Sequence, residues 1–111
     1  MARRIRSIEI YLPLDYNDGR PIPEAKYVSL QQELLNRFGG VTSLQRQFPL
    51  QGIWRTESRT FQDRVVVFTV MDFGTENQFQ SLRYLERLKA RLKKKFDQLE
   101  ILLTVQELLA I

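Results

Sequence analysis

Apolar and polar positions alternate at the start of the chain. Ile8, Ile10, Leu12 and Leu14 fall on one side, with Ser7, Glu9 and Tyr11 on the other, which predicts a strand over residues 5 to 14. From Pro23 the period lengthens. Tyr27, Leu30, Leu34 and Phe38 recur three or four apart and Gly39-Gly40 follows, the pattern of an amphipathic helix with a glycine stop. Val41 to Phe48 reads as a strand ended by Pro49. "GIWRT" and "RTFQDRVVVFTVMDF" then read as a hairpin, its second arm rich in β-branched and aromatic residues. Thr75 with Gln78 three residues on predicts the N-cap of a second helix. Phe79, Leu82, Leu85, Leu88, Leu92 and Phe96 supply its apolar stripe. Residues 99 to 105 read as a last strand, and "QELLAI" as an apolar tail.

The order β-α-β-β-α-β is the split βαβ arrangement of the ferredoxin-like fold. It predicts a single α+β domain over residues 1 to 111, with two helices on one face of an antiparallel sheet. That face takes Ile8, Ile10, Leu12, Val66, Phe68, Val70, Ile101 and Leu103. The other face should be polar, yet the alternation sends Tyr11, Val65, Val67, Met71 and Leu102 to it. An uncovered apolar sheet face implies a cover. Three covers are open: the Pro49 region or the "ELLAI" tail, a second copy of the chain, or a small apolar ligand. The second copy is preferred, since two-fold homodimers are the commonest oligomers.

Composition narrows the chemistry. At 111 residues, 43% hydrophobic and 27% charged, the chain has enough apolar material for one core. It contains no cysteine and no histidine. Thiolate chemistry, cysteine-based zinc sites and disulfides are thereby excluded, and the commonest general base is missing. No metal or cofactor is expected, and a binding role is preferred over catalysis. The opening "MARRIRSIEIYLPL" places basic residues before an apolar run, but Glu9 interrupts it. No stretch approaches the roughly 18 apolar residues of a membrane span. A soluble cytoplasmic protein is the expectation.

Three segments carry candidate chemistry. "YLPLDYNDGRPIP" resembles the opening of a calcium loop, but its spacing is one residue short and its twelfth position is Lys26. Its Asp, Asn, Gly and Pro residues suit a turn. The basic residues gather at Arg3, Arg4 and Arg6, at Arg55, Arg59 and Arg64, and along the second helix. With a net charge of +4, Arg83, Arg87, Arg91 and Lys94 are candidates for binding nucleic acid. "DRVVVFTV" lacks the basic-Gly-aromatic signature of a sheet-based RNA-binding module. "GIWRTESRTFQDR" carries the only Trp. A pocket, if formed, is expected where Tyr11, Trp54, Arg55, Asp63 and Met71 converge, and an enzyme acting there on an apolar substrate without a cofactor is a further alternative.

The succession "IEIYLPL…DGRPIP", "RFGGVT", "GIW", "DRVVVFTV" and "LKKKFDQLEILL" resembles a group of small bacterial proteins of uncharacterised function with a ferredoxin-like fold. The likeness spans most of the chain, and its motifs are turns and core positions. It implies the architecture, and no activity transfers with it to any residue.

Overall fold

The computed structural model describes residues 2–38, 43–45, 50–56, 59–74 and 78–111, with side chains over 2–38, 65–74 and 79–111. Among the described residues, five strands and two helices follow in the order β1 (Arg3–Pro13), α1 (Glu24–Phe38), β2 (Ser43–Gln45), β3 (Leu50–Thr56), β4 (Arg59–Asp72), α2 (Gln78–Lys95) and β5 (Leu102–Ala110). The sheet is antiparallel throughout and runs β2-β4-β1-β5, with β3 paired to the same edge of β4 as β2. This is the ferredoxin-like α+β arrangement with its second strand in two pieces. Gly39-Gly40, Pro49, Thr75 and much of the strand expected over 41–48 lie outside the described residues.

The period-2 pattern does what a half-buried strand requires. Ile8, Ile10 and Leu12 of β1 pair with Val70, Phe68 and Val66 of β4. All six join Tyr27, Leu30, Leu34 and Phe38 of α1, Leu85, Leu88, Leu92 and Phe96 of α2, and Ile101 in one core. Tyr27 packs obliquely on Phe96 at 5.3 Å between ring centroids, and its hydroxyl donates to the Pro13 carbonyl. Burial raises that phenol's pKa to about 12.

The opening loop is a turn. Tyr16 and Gly19 close it through backbone bonds of 2.7 Å to Arg20 and 2.9 Å to Tyr16, and Gly19 takes φ 89°, a region glycine enters without steric cost. Asp18 accepts from the Arg20 backbone at 3.0 Å and pairs with its guanidinium at 2.7 Å. Its side chain serves the turn, as the Asx-turn chemistry predicts. At the far end of α2, Asp97 adopts φ 52°. The Gln98 and Asp97 amides donate back to the Lys93 and Lys94 carbonyls at 2.8 and 3.2 Å, the paired bonds of a Schellman stop. Lys26 donates to the Lys95 carbonyl at 2.7 Å and ties α1 to the same helix end.

The sequence expectation needs three corrections. The last strand begins at Leu102 and runs to Ala110, while Leu99 stands off it at 92% exposure. The "ELLAI" tail therefore does not fold over the second face. It continues the sheet, because β1 starts at Arg3 and offers it partners as far as Arg3↔Ala110. On α2, Phe79 is 82% exposed and Leu82 also reaches solvent, whereas Ser81 is buried. Val67, assigned to the uncovered face, is only 1% exposed.

Candidate functional site

The second face of the sheet is organised in rungs. Tyr11 of β1 lies opposite Val67 of β4 on one side and Leu102 of β5 on the other. Val65 sits two residues along β4, opposite Pro13. These residues alternate with the core positions, so period-2 geometry sends them away from both helices. Val67 is enclosed, Val65 and Tyr11 are half-buried, and Leu102 is 45% exposed. The next rung is polar: Thr69, Glu9 and Thr104. The Tyr11 hydroxyl donates across to Glu9 at 3.4 Å. Met71 lies one rung further, opposite Ser7, and the polar rung separates it from Tyr11.

Trp54, Arg55 and Asp63 lie on the β3–β4 hairpin, opposite Phe61, Thr60 and Gly52. The rung of Trp54 is ten residues along β4 from Met71, roughly 33 Å of extended strand. The register thus brings Tyr11, Val65, Val67 and Leu102 together and leaves Trp54, Arg55 and Met71 apart from them. A two-residue period assigns a face but gives no position along the strand, which is why the expected convergence failed.

Two polar sites on the helix side escaped the sequence reading. In the first, Arg6 and Asp72 face each other across β1 and β4. Arg6 Nη2 lies 2.8 Å from Asp72 Oδ2. The buried Ser81 hydroxyl donates to the same oxygen at 3.3 Å, and the Gly74 amide donates to Oδ1 at 2.9 Å. A cavity of about 190 Å³ opens beside them, lined by Arg4, Ile5, Arg6, Asp72, Gly74 and Glu107. Asp72 is saturated with partners, so its place is structural.

The second site joins the helices. Glu33 of α1 accepts from Arg91 of α2 at 3.0 and 2.6 Å and from the Tyr84 hydroxyl at 2.6 Å. The Arg91 guanidinium is the main reason the Glu33 carboxyl titrates below its usual range. Burial, then the bond to Glu33, raises the Tyr84 phenol. Of the basic candidates on α2, Arg91 is therefore ion-paired, Lys94 is exposed, and Arg83 and Arg87 line an open groove of about 490 Å³ with Arg37, Gln80 and Tyr84.

Among the described residues no group of three Asp or Glu side chains gathers in a way that could hold a metal ion. No helix among them is long and apolar enough to cross a membrane.

No protein-family model matches the chain, and no curated protein matches it. Solved structures do. A phage SAM lyase in complex with S-methyl-5'-thioadenosine superposes with a TM-score of 0.68 at 15% identity, over 93% of this chain and 81% of that one. The apo state of a phage SAM lyase gives 0.66 at 15% identity, over 92% and 79%. At this identity the likeness establishes the shared fold.

Proposed function

We propose that the protein is a small cytoplasmic binding module that assembles as a homodimer through the second face of its sheet. The rung Val67–Tyr11–Leu102 carries the reading. It is an apolar strip on the side of the sheet opposite both helices, and pairing with a second copy would remove Leu102 and the Tyr11 ring from water. The strip is small against the roughly 800 Å² per partner of a standard interface. The dimer is therefore expected to dissociate on dilution through the micromolar range. Light scattering across a dilution series tests this. A concentration-dependent mass that Leu102→Glu abolishes supports the reading, and a monomer at every concentration rejects it.

A second reading, a small enzyme working without a cofactor, draws support from the likeness to the phage lyase, whose complex holds a thionucleoside. On this chain the neighbouring rungs set Tyr11 and Glu9 beside the apolar strip. Tyr11 would flank the apolar part of the substrate, and the Glu9 carboxylate would remove a proton from the carbon next to the carbon–sulfur bond. The C–H pair would form a double bond as the carbon–sulfur bond breaks and the neutral thioether leaves. Incubation with S-adenosylmethionine, followed by chromatography for S-methyl-5'-thioadenosine, tests it. Product formation lost in Glu9→Gln supports the enzyme reading, and absence of product rejects lyase activity.

A further inference from the structure

We infer that the open edge of β5 is a contact for a second copy of this chain, whose own β5 pairs with it antiparallel about a two-fold axis at Val105.

An uncapped strand leads there. Among the described residues β5 pairs only with β1, so alternate residues of Leu102–Ala110 turn their amide and carbonyl outward from the sheet. Natural proteins blunt such edges with lysine, proline, a bulge or a very short strand. β5 carries no lysine or proline in its nine residues, holds an unbroken register on β1, and has Glu107 as its one charge.

The helix beside it repeats the signal. Lys89 reaches Glu100 at 3.0 Å, and Ser81 meets Arg6, the neighbour of Glu107 across the ladder, so α2 runs alongside β5. Leu82 lies seven residues before Lys89, on the same flank of the helix, and Phe79 stands one turn earlier. That flank turns the exposed Phe79 and Leu82 towards the open edge. Val105 and Leu109 of β5 also reach solvent there, on the side of the sheet that Ile8 faces. Together they form an apolar corner that a further strand would fill.

Register picks the occupant. A two-fold axis at Val105 sets Val105 against itself, Thr104 against Gln106, and Leu102 against Leu108 of the second copy. Of the rungs from Leu102 to Leu108, only that of Leu103 and Glu107 is mixed. An axis at Glu107 would instead oppose two carboxylates, which is destabilising. One at Gln106 would set Glu107 against Val105 on both sides. Leu108 pairs with the buried Ile5 of its own chain. The apolar rung Val67–Tyr11–Leu102 would thus run on unbroken into Leu108 and Ile5 of the second copy. A strand of unrelated sequence has no reason to complete that rung. The contact stands without the face-to-face dimer, because it is made by the backbone edge rather than by side chains of the second face.

The chain contains no cysteine, so one introduced thiol reports its own neighbour. Val105→Cys would face its copy at roughly 5 Å between Cα atoms, within disulfide reach. Glu107→Cys, on the same side of β5, would stand about 13 Å from its copy. In a face-packed pair the helix sides point apart, so cross-linking at these positions reports the edge alone. Both variants are oxidised with copper phenanthroline at the same concentration, after thermal unfolding verifies that each is folded. The wild-type chain is followed in parallel by amide hydrogen exchange across a dilution series. Cross-linking of Val105→Cys at least tenfold faster than that of Glu107→Cys, with outward β5 amides at least tenfold better protected at high concentration, supports the inference. Three results overturn it: a Val105→Cys chain that stays monomeric, equal rates at the two positions, or β5 exchange that concentration leaves unchanged.

Discussion

Arg6 Nη2 lies 2.8 Å from Asp72 Oδ2, in a carboxylate that is 1% exposed and fixed from a second side by the Gly74 amide. Removing one member of a buried pair leaves the other charged and unsolvated, at a cost of about 3–5 kcal/mol. Asp72→Asn is expected to lower stability by that amount, read as the denaturant midpoint at constant slope. Arg6→Met combined with Asp72→Leu is expected to cost less than either single change, because no uncompensated charge stays behind. A double variant worse than both singles would show that Ser81 and Gly74 depend on the carboxylate more than Arg6 does.

Val67 and Leu102 flank Tyr11 on the same rung, yet they respond to different tests. Val67 is already enclosed within one chain, so Val67→Glu is expected to unfold the monomer by burying a charge. Leu102 is exposed, so Leu102→Glu is expected to leave the Tm within about 3 °C, since surface substitutions stay within roughly 0.5 kcal/mol. Calorimetry of both variants at a concentration where the wild type is monomeric decides the point.

The Glu33–Arg91 pair predicts a dependence on acid. Because the folded carboxyl titrates below the unfolded value of 4.5, its contribution is complete above that pH and fades as pH falls through the folded value. Glu33→Gln is expected to flatten the Tm profile below about pH 5. Identical profiles would show that the half-exposed pair contributes nothing measurable.

Tyr27 gives the alkaline counterpart. Its phenol titrates at about 12 in the fold against 10.0 outside it, so its contribution is complete below pH 10 and lost as pH rises towards 12. Tyr27→Phe is expected to make stability less sensitive across that window, followed by circular dichroism. Equal slopes for the two proteins would place the alkaline transition on other groups.

Much of the architecture was legible because burial imposes a period. Ile8, Ile10 and Leu12, and Tyr27, Leu30, Leu34 and Phe38, reach the core their spacing assigns them. At the start of α2 the hydropathy pattern misled. Asp72 and Arg6 need a hydroxyl, so the helix turns Ser81 inwards and Phe79 faces water. A hydrophobic count cannot register that demand, because it arises between elements far apart in the chain. The end of β5 was misplaced for a related reason: no proline or glycine marks it, and its true length is set by how early β1 begins. The groove around Arg83 and Arg87 was half legible. Their four-residue spacing was plain, but the contribution of Arg37 and the neutralisation of Arg91 exist only once the helices are side by side.

The rung Arg3↔Ala110 places the incoming and outgoing ends of the described chain at one corner. A pull applied between those ends would load the β1–β5 ladder one bond at a time, as a zipper opens, rather than all its rungs in shear. Each rung resists only by its own small net worth. Under tension the outer strand should peel away at low force, while the β1–β4 centre of the sheet holds.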